Sequence, residues 1–255
     1  MRHHTPPGPK LWGLVLVILI AASCSKSGPT SPPPQTTPFL PSPTPAPAPA
    51  PSNHNPVITA FNVTDFGVSG LTTISMSASA TDEDNDAVSY RWTIGGTGQT
   101  ANGPSFSTIL TGDGAIDVAL TVTDSKGGST TNHRNVVIGT MTGQWRYVPT
   151  SGNACGTFGL ANPPILTLTQ VGGVVTGDLS SPSAWCNVPA GQNGRLDPGA
   201  PGSIDEQGNF KARLKIGSFL DGFFTAKMDA TGRELTGTVT FQNSSGFGTF
   251  WLRKI

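Results

Sequence analysis

Acidic side chains crowd one short segment of this chain, Asp82-Glu83-Asp84-Asn85-Asp86, and Asp124 follows a later predicted strand. Calcium takes about six to eight oxygen ligands, and clustered carboxylates on loops supply them. Aspartate and asparagine are also common in turns, because their side chains bond to the local backbone. The segment lacks the glycine and the terminal glutamate of an EF-hand loop. We therefore keep two interpretations open, an ordinary turn and a calcium site formed by Asp82, Asp84, Asp86 and Asp124.

Two of the three cysteines, Cys155 and Cys186, lie in Gly-, Pro- and Asn-rich segments of the C-terminal half. In an exported chain, two cysteines of one domain are expected to form a disulfide. Closing a loop of about 32 residues would stabilise the fold by roughly 3 to 4 kcal/mol in the loop-entropy model. There is no Cys-x-x-Cys spacing and no histidine beside either cysteine, which disfavours a metal or redox role.

The third cysteine, Cys24, ends an N-terminal segment with the features of an export signal. A basic start precedes the apolar run Leu11–Ala22, and small residues lead into the cysteine. This run is shorter than the roughly 20 residues of a membrane-spanning helix. The segment Leu19-Ile20-Ala21-Ala22-Ser23-Cys24 resembles the lipobox of bacterial lipoproteins.

That resemblance implies a signal peptide over residues 1–23 and a diacylglyceryl and fatty-acid anchor on Cys24. It places the mature protein on a membrane of the bacterial cell envelope, and Ser25 fits sorting to the outer membrane or cell surface. The alternative is an ordinary secretory signal, cut near the same point, which would leave Cys24 as a free thiol.

Residues 24–56 are predicted to be a disordered tether. The stretch from Ser25 to Pro56 holds 12 of the 23 prolines and has almost no apolar side chains to bury. Such a composition favours an extended polyproline II chain. At ~3.1 Å per residue, the segment reaches at most ~100 Å. A Pro-rich ligand for a partner domain is the alternative, but no basic residue occurs among the prolines of residues 29–51.

The remaining residues predict an all-β protein. Glycine is frequent, with 32 residues, charged residues make up 12% of the chain, and no amphipathic helical stretch follows the signal. Short alternating runs are separated by Gly, Asn and Asp turns. Removal of the signal would leave 13 basic and 15 acidic residues, a net charge of −2. A nucleic-acid partner is therefore not expected, since phosphate binding needs a basic face.

Residues 57–140 predict an immunoglobulin-like β-sandwich. Alternating runs cover 73–80, 88–94, 116–123 and 132–138, and Trp92 is expected in the core. Three stretches resemble the PKD-type and related bacterial immunoglobulin-like domains: Ala80-Thr81-Asp82-Glu83-Asp84-Asn85-Asp86, Tyr90-Arg91-Trp92 and Leu120-Thr121-Val122-Thr123-Asp124-Ser125-Lys126-Gly127-Gly128. The resemblance implies the fold. This sequence departs from the family pattern at Thr93-Ile94-Gly95-Gly96, where the family often has an Asp and a Gly-Asp-Gly turn.

Residues 141–255 predict a small antiparallel up-and-down β-barrel. Strict period-two alternation appears in 210–216, 224–228 and 235–241, with turn signals between these runs. A meander of about eight strands closes on itself to remove its exposed edges. Gly143-Gln144-Trp145 resembles the Gly-x-Trp motif of lipocalin-like (calycin) barrels. That likeness implies that a basic residue of the last strand, Arg253, packs over Trp145 through a cation–π contact.

The barrel interior has two interpretations. Phe210, Phe224 and Phe241 could fill it as a packed core. Alternatively, an apolar pocket with Trp185 and Trp251 at its rim or lining could hold a small ligand.

No catalytic residue is predicted. The four histidines have no metal-like spacing, there is no Gly-x-Ser-x-Gly elbow, and residues 141–255 contain no histidine. The expected function is non-catalytic display, adhesion or recognition at the cell envelope, with the membrane as one partner and an envelope protein or a glycan as another. The alternative is a carrier of a small apolar ligand. No cofactor is required, and calcium is the one candidate ion.

Overall fold

Strands and turns, without helices, make up the part of the chain that the structure describes, namely residues 47–152, 163–180, 193–217, 220–242 and 247–255. The structure is a computed structural model. The chain divides into two units, residues 1–50 and residues 51–255, and the strands described below all lie in the second. Within the described ranges, no helix has the length and apolarity that crossing a membrane requires.

The N-terminal half of the second unit is a two-sheet sandwich. Its strands are β1 (Val57–Val63), β2 (Phe66–Val68), β3 (Thr73–Thr81), β4 (Val88–Ile94), β5 (Thr100–Asn102), β6 (Ser105–Ile109), β7 (Gly114–Asp124) and β8 (Ser129–Gly139). One sheet has the order β1-β3-β6 and the other β2-β8-β7-β4-β5. Only the β2–β8 pairing is parallel among these strands. The predicted all-β sandwich is confirmed.

The sandwich core forms where the inward residues of the two sheets meet. Trp92 is fully buried, and its indole N–H donates to the Gly103 carbonyl oxygen at 2.8 Å. The Phe61 ring lies 5.7 Å from the Trp92 ring, centroid to centroid. Buried aliphatic residues from both sheets complete the core: Ile74, Met76, Ile94, Leu110, Val118, Leu120, Val122 and Val136. These residues alternate with exposed hydroxyl and charged side chains, as one-sided burial requires.

The C-terminal half is a closed antiparallel barrel. Its strands are β9 (Gly143–Gly152), β10 (Ile165–Val171), β11 (Val174–Ser180), β12 (Asn193–Leu196), β13 (Gly202–Ile204), β14 (Asn209–Ile216), β15 (Leu220–Met228), β16 (Glu234–Phe241) and β17 (Phe247–Lys254). Apart from β12 and β13, successive strands pair with each other, and β17 pairs with β9 to close the wall. The predicted up-and-down barrel is confirmed.

One wall position of the barrel is shared by two short strands. Both β12 and β13 pair with β11 on one side and with β14 on the other. Residues 197–201 separate them and belong to neither strand. The barrel therefore has eight wall positions, and the interruption in one of them shapes its outer surface.

Sandwich and barrel share a packed interface. Val68 is fully buried within the barrel's hydrophobic cluster, and Phe66 and Leu71 pack against that cluster. Gly139 and Gly232 meet closely, because a Cβ on Gly232 would lie 2.7 Å from the Gly139 Cα. Gly232 also has a φ of +68°, which favours glycine. The short connection between β8 and β9 is therefore supported by packing on both sides.

Candidate functional site

The acidic turn between β3 and β4 brings three carboxylates together. Asp82 Oδ1 accepts hydrogen bonds from the backbone N–H groups of Asp84 and Asp86 at 2.9 and 3.2 Å. One oxygen from each of these three aspartates lies within 4.8 Å of the others. Asn85 adopts a φ of 60°, which the tight turn requires. The turn thus combines a feature of each interpretation: side-chain hydrogen bonds to the local backbone, as in an ordinary turn, and clustered carboxylate oxygens, as in a calcium site.

Two basic residues of the chain already contact this acidic turn. His54 donates its backbone N–H to Asp84 Oδ2 at 2.8 Å, and its Nδ1 lies 3.1 Å from Asp84 Oδ1. Lys126 Nζ lies 3.0 Å from Asp86 Oδ2. The backbone and side-chain hydrogen bonds of His54 lower the pKa of Asp84, and Asp84 in turn raises the pKa of His54. A cation bound here would compete with both basic residues.

Asp124 lies in the β7–β8 turn but is not part of the three-carboxylate group. Its Oδ1 accepts from the backbone N–H groups of Lys126 and Gly128 at 2.8 and 2.9 Å. Its Oδ2 accepts from the Asn53 side-chain amide at 3.0 Å. Asp124 therefore stabilises its own turn and the backbone around Asn53, and calcium binding stays a prediction that rests on Asp82, Asp84 and Asp86.

At the Gly-x-Trp motif, the structure corrects the predicted cation–π partner. Trp145 is fully buried, and the group over its ring is Lys254 Nζ, 5.4 Å from the centroid. Arg253 instead lies 4.1 Å from the Trp251 ring centroid and bonds to Glu234 at 2.8 Å. The reason is register, because Lys254 is the direct partner of Trp145 across β17 and β9.

Lys254 also connects the barrel to the sandwich. Its Nζ donates to Asp113 Oδ2 at 2.9 Å and to the Thr140 carbonyl oxygen at 3.1 Å. Only 6% of the Lys254 side chain is exposed. Gly143 leaves room for this side chain, since a Cβ there would lie 2.9 Å from Lys254 Cε. The predicted signature residues Gly143 and Trp145 thus lie beside Lys254 at the interface.

Aromatic rings fill the described barrel interior. The Tyr147 and Phe250 rings stack with centroids 5.4 Å apart, and Phe224 meets Phe250 edge-on at 5.2 Å. Phe210 and Phe241 are buried in the same cluster. Burial raises the pKa of the Tyr147 phenol well above its usual range. These contacts favour the packed-core interpretation over the pocket.

Trp251 is not an interior residue. It pairs across the strands with Thr236, whose side chain is exposed, and Arg253 covers its ring from outside. The predictions for Cys24, Cys155, Cys186 and Trp185 concern residues that lie outside the described ranges.

The sequence analysis missed a cleft on the outer wall of the barrel. It has two adjoining parts of about 740 and 480 Å³, which share Thr167, Asp178, Arg195 and Pro198. Asp197, Pro198 and Pro201, between β12 and β13, line one side of this cleft, and residues of β10 and β11 line the other. No motif indicates it in the sequence, because it depends on the interruption between β12 and β13.

Comparison with known proteins identifies the sandwich. Residues 53–138 match the family model of the PKD domain. The PKD1 domain of Vibrio anguillarum Epp is 31% identical, and the match covers 34% of this chain and 96% of that domain with a TM-score of 0.29. No curated protein matches the chain.

Two further solved structures have a low similarity to a larger part of the chain. A structure of carbohydrate-binding modules from the β-sandwich superfamily is 13% identical, covering 80% of this chain and 94% of that one, with a TM-score of 0.34. The Bacteroides ovatus mixed-linkage glucan utilization locus protein SGBP-B, in complex with a heptasaccharide, is also 13% identical. That match covers 79% of this chain and 62% of the other, with a TM-score of 0.28. Neither likeness carries a functional inference.

Proposed function

Residues 53–138 belong to the PKD domain family, and from this premise we propose that the chain is a non-catalytic recognition protein of the bacterial cell envelope. A lipid on Cys24 anchors it, the Pro-rich segment holds it away from the membrane, and the PKD domain positions the barrel. The barrel recognises its partner through outer surfaces.

The packed barrel interior is the observation that carries this proposal. Tyr147, Phe224 and Phe250 contact one another where a carrier would keep an apolar cavity. Leu214, Val239 and other fully buried aliphatic residues extend the same cluster. Close-packed interiors leave little room for a ligand, so recognition falls to exposed groups. The carrier function is accordingly the less supported alternative.

Membrane anchoring is tested by substitution of the lipobox cysteine. We expect Cys24→Ala to move the protein from the membrane fraction to the soluble envelope fraction, because one thiol carries the whole anchor. Fractionation of cells that express either form measures this change. Ser23→Ala is the matched control and should stay in the membrane fraction. Membrane retention of Cys24→Ala would contradict the lipid anchor.

A further inference from the structure

We propose that the outer-wall cleft of the barrel binds a neutral oligosaccharide chain. This inference rests on the proposed recognition function and names its ligand class. The cleft is defined by the residues that its two parts share and by the loop 197–201. Each part, at about 740 and 480 Å³, falls within the volume range of ligand sites, about 300 to 1,000 Å³. Its lining side chains Thr167, Asp178 and Arg195 are exposed, so the cleft opens on the outside of the barrel.

Two charged side chains of this cleft, Asp178 and Arg195, have no hydrogen bond or ion pair within the described part of the chain. Asp178 and Arg195 are direct cross-strand partners of β11 and β12, yet no ion pair or hydrogen bond joins their side chains. On the opposite wall, by contrast, Thr225 and Thr238 bond to each other at 2.9 Å through their hydroxyl oxygens. As far as the described residues extend, the cleft therefore presents a free carboxylate acceptor and a free guanidinium donor side by side.

Such a pair suits hydroxyl groups. A sugar hydroxyl donates one hydrogen bond and accepts others, so adjacent hydroxyls can donate to Asp178 and accept from Arg195. Hydrogen bonds with one charged partner are about twice as strong as neutral ones. Thr167, Thr169 and Thr176 add further hydroxyls along the cleft, and Pro198 adds an apolar surface. This chemistry matches a polyhydroxylated chain better than an apolar ligand.

The charges that line the cleft cancel, which favours a neutral ligand. Two acids, Asp178 and Asp197, face two bases, Arg195 and Lys215. Lys215 Nζ is held by Asp197 Oδ2 at 2.7 Å, so its charge is already neutralised. An anionic polymer would need a clear excess of basic groups.

The loop that forms one side of the cleft is held firmly. Asp197 is 8% exposed, and its Oδ1 accepts from the Gly199 backbone N–H at 3.0 Å. Arg213 also approaches Asp197 and forms a second ion pair with Asp221. The hydrogen bond from Lys215, followed by that from Gly199, lowers the pKa of Asp197. A preorganised wall reduces the entropy lost when a ligand binds.

Affinity electrophoresis of the full-length protein in detergent tests this proposal. The native gels contain dextran, galactomannan or arabinoxylan as neutral probes, and polygalacturonate as the charged probe. We expect at least one neutral polysaccharide to retard the protein. Asp178→Ala and Arg195→Ala should each weaken that binding about tenfold, as loss of one charge-assisted hydrogen bond predicts.

Lys211→Ala is the matched control, because Lys211 is an exposed base on β14 that lines a separate shallow groove. It should bind as the unaltered protein does, and thermal melts should show that all variants are folded. The proposal is overturned by no retardation with any neutral probe, by retardation with polygalacturonate alone, or by equal effects of Lys211→Ala and Arg195→Ala. If Asp84→Ala abolishes polysaccharide binding while the cleft variants still bind, the cleft is not the binding site. That result would overturn the cleft proposal and leave the proposed recognition function standing.

Discussion

At the scale of single residues, two carboxylates of the acidic turn of the PKD domain are paired with basic side chains of the same chain. Asp84 is paired with His54 and Asp86 with Lys126. The local spacing of Asp82, Asp84 and Asp86 was sufficient to predict that their oxygens cluster. The role of His54 could not be predicted, because it lies 30 positions from Asp84 and only the sandwich topology brings the two together.

The His54–Asp84 pair predicts a pH-dependent contribution to stability. The pKa of His54 is raised, so its contribution is complete below about 6.5 and is lost as the pH rises through the raised pKa. The pKa of Asp84 is lowered, so its contribution is complete above about 3.9 and is lost as the pH falls through the lowered pKa. His54→Ala should therefore lower the melting temperature more at pH 5.5 than at pH 8.5. The first value lies about one unit below the ordinary histidine pKa of 6.5, and the second lies about two units above it.

A double-mutant cycle checks the origin of that pH dependence. In an Asp84→Ala background, the pH dependence of the effect of His54→Ala should shrink to the smaller part that Glu83, 4.0 Å from the His54 ring, contributes. A pH-dependent difference that is undiminished without Asp84 would assign the effect to another partner of His54.

At the scale of elements, alternation of apolar and polar residues was the reliable signal. It predicted β4 to the residue and β3, β7 and β8 to within three residues at either end. It did not predict β12 and β13, which are only four and three residues long. These two short strands share one position in the barrel wall. Because the sequence analysis did not predict them, it did not predict the cleft beside them either.

The register between strands was the second feature that could not be predicted from the sequence. Arg253 and Lys254 are adjacent bases on the last strand, and neighbouring residues point to opposite faces. Choosing between them requires knowing which residue of β17 lies opposite Trp145, and that pairing depends on barrel closure. The motif therefore predicted a cation over Trp145, but the prediction named Arg253 where the structure has Lys254.

Substitution of Lys254 should destabilise the fold much more than substitution of its neighbour. Lys254→Met removes a nearly buried ion pair with Asp113 and leaves that carboxylate without its closest base. We expect a loss of about 2 kcal/mol in the free energy of unfolding, measured by denaturant titration. Arg253→Met, which breaks an exposed pair with Glu234, should cost about 0.5 kcal/mol. Equal losses would contradict the interface role of Lys254.

The predicted Cys155–Cys186 disulfide would add a covalent link to the C-terminal half of the chain. Reduction should lower the free energy of unfolding by roughly 3 to 4 kcal/mol, because the open chain gains conformational entropy. Thermal melts with and without a thiol reductant measure the effect. The Cys155→Ser, Cys186→Ser double variant is the control and should not respond to reductant. An unaltered protein that melts identically in both conditions would exclude the bridge.

At the scale of the whole molecule, sandwich and barrel are joined by the three-residue connection 140–142 and by direct hydrogen bonds. Thr72 donates to the Glu206 carbonyl oxygen at 2.6 Å, and the Gln170 side chain donates to the Ser69 carbonyl oxygen at 2.9 Å. Met141, within the connection, is fully buried. We infer that the PKD domain holds the barrel in a defined orientation, which suits a recognition protein on a long tether.

Native mass spectrometry of the exported protein tests the central claim most directly, since recognition by outer surfaces requires an unoccupied barrel. We expect the mass of the oxidised, lipid-modified chain without any further organic adduct, because aromatic rings fill the described interior. A stoichiometric apolar adduct that survives desalting, and is released only on unfolding, would contradict this account and establish a carrier.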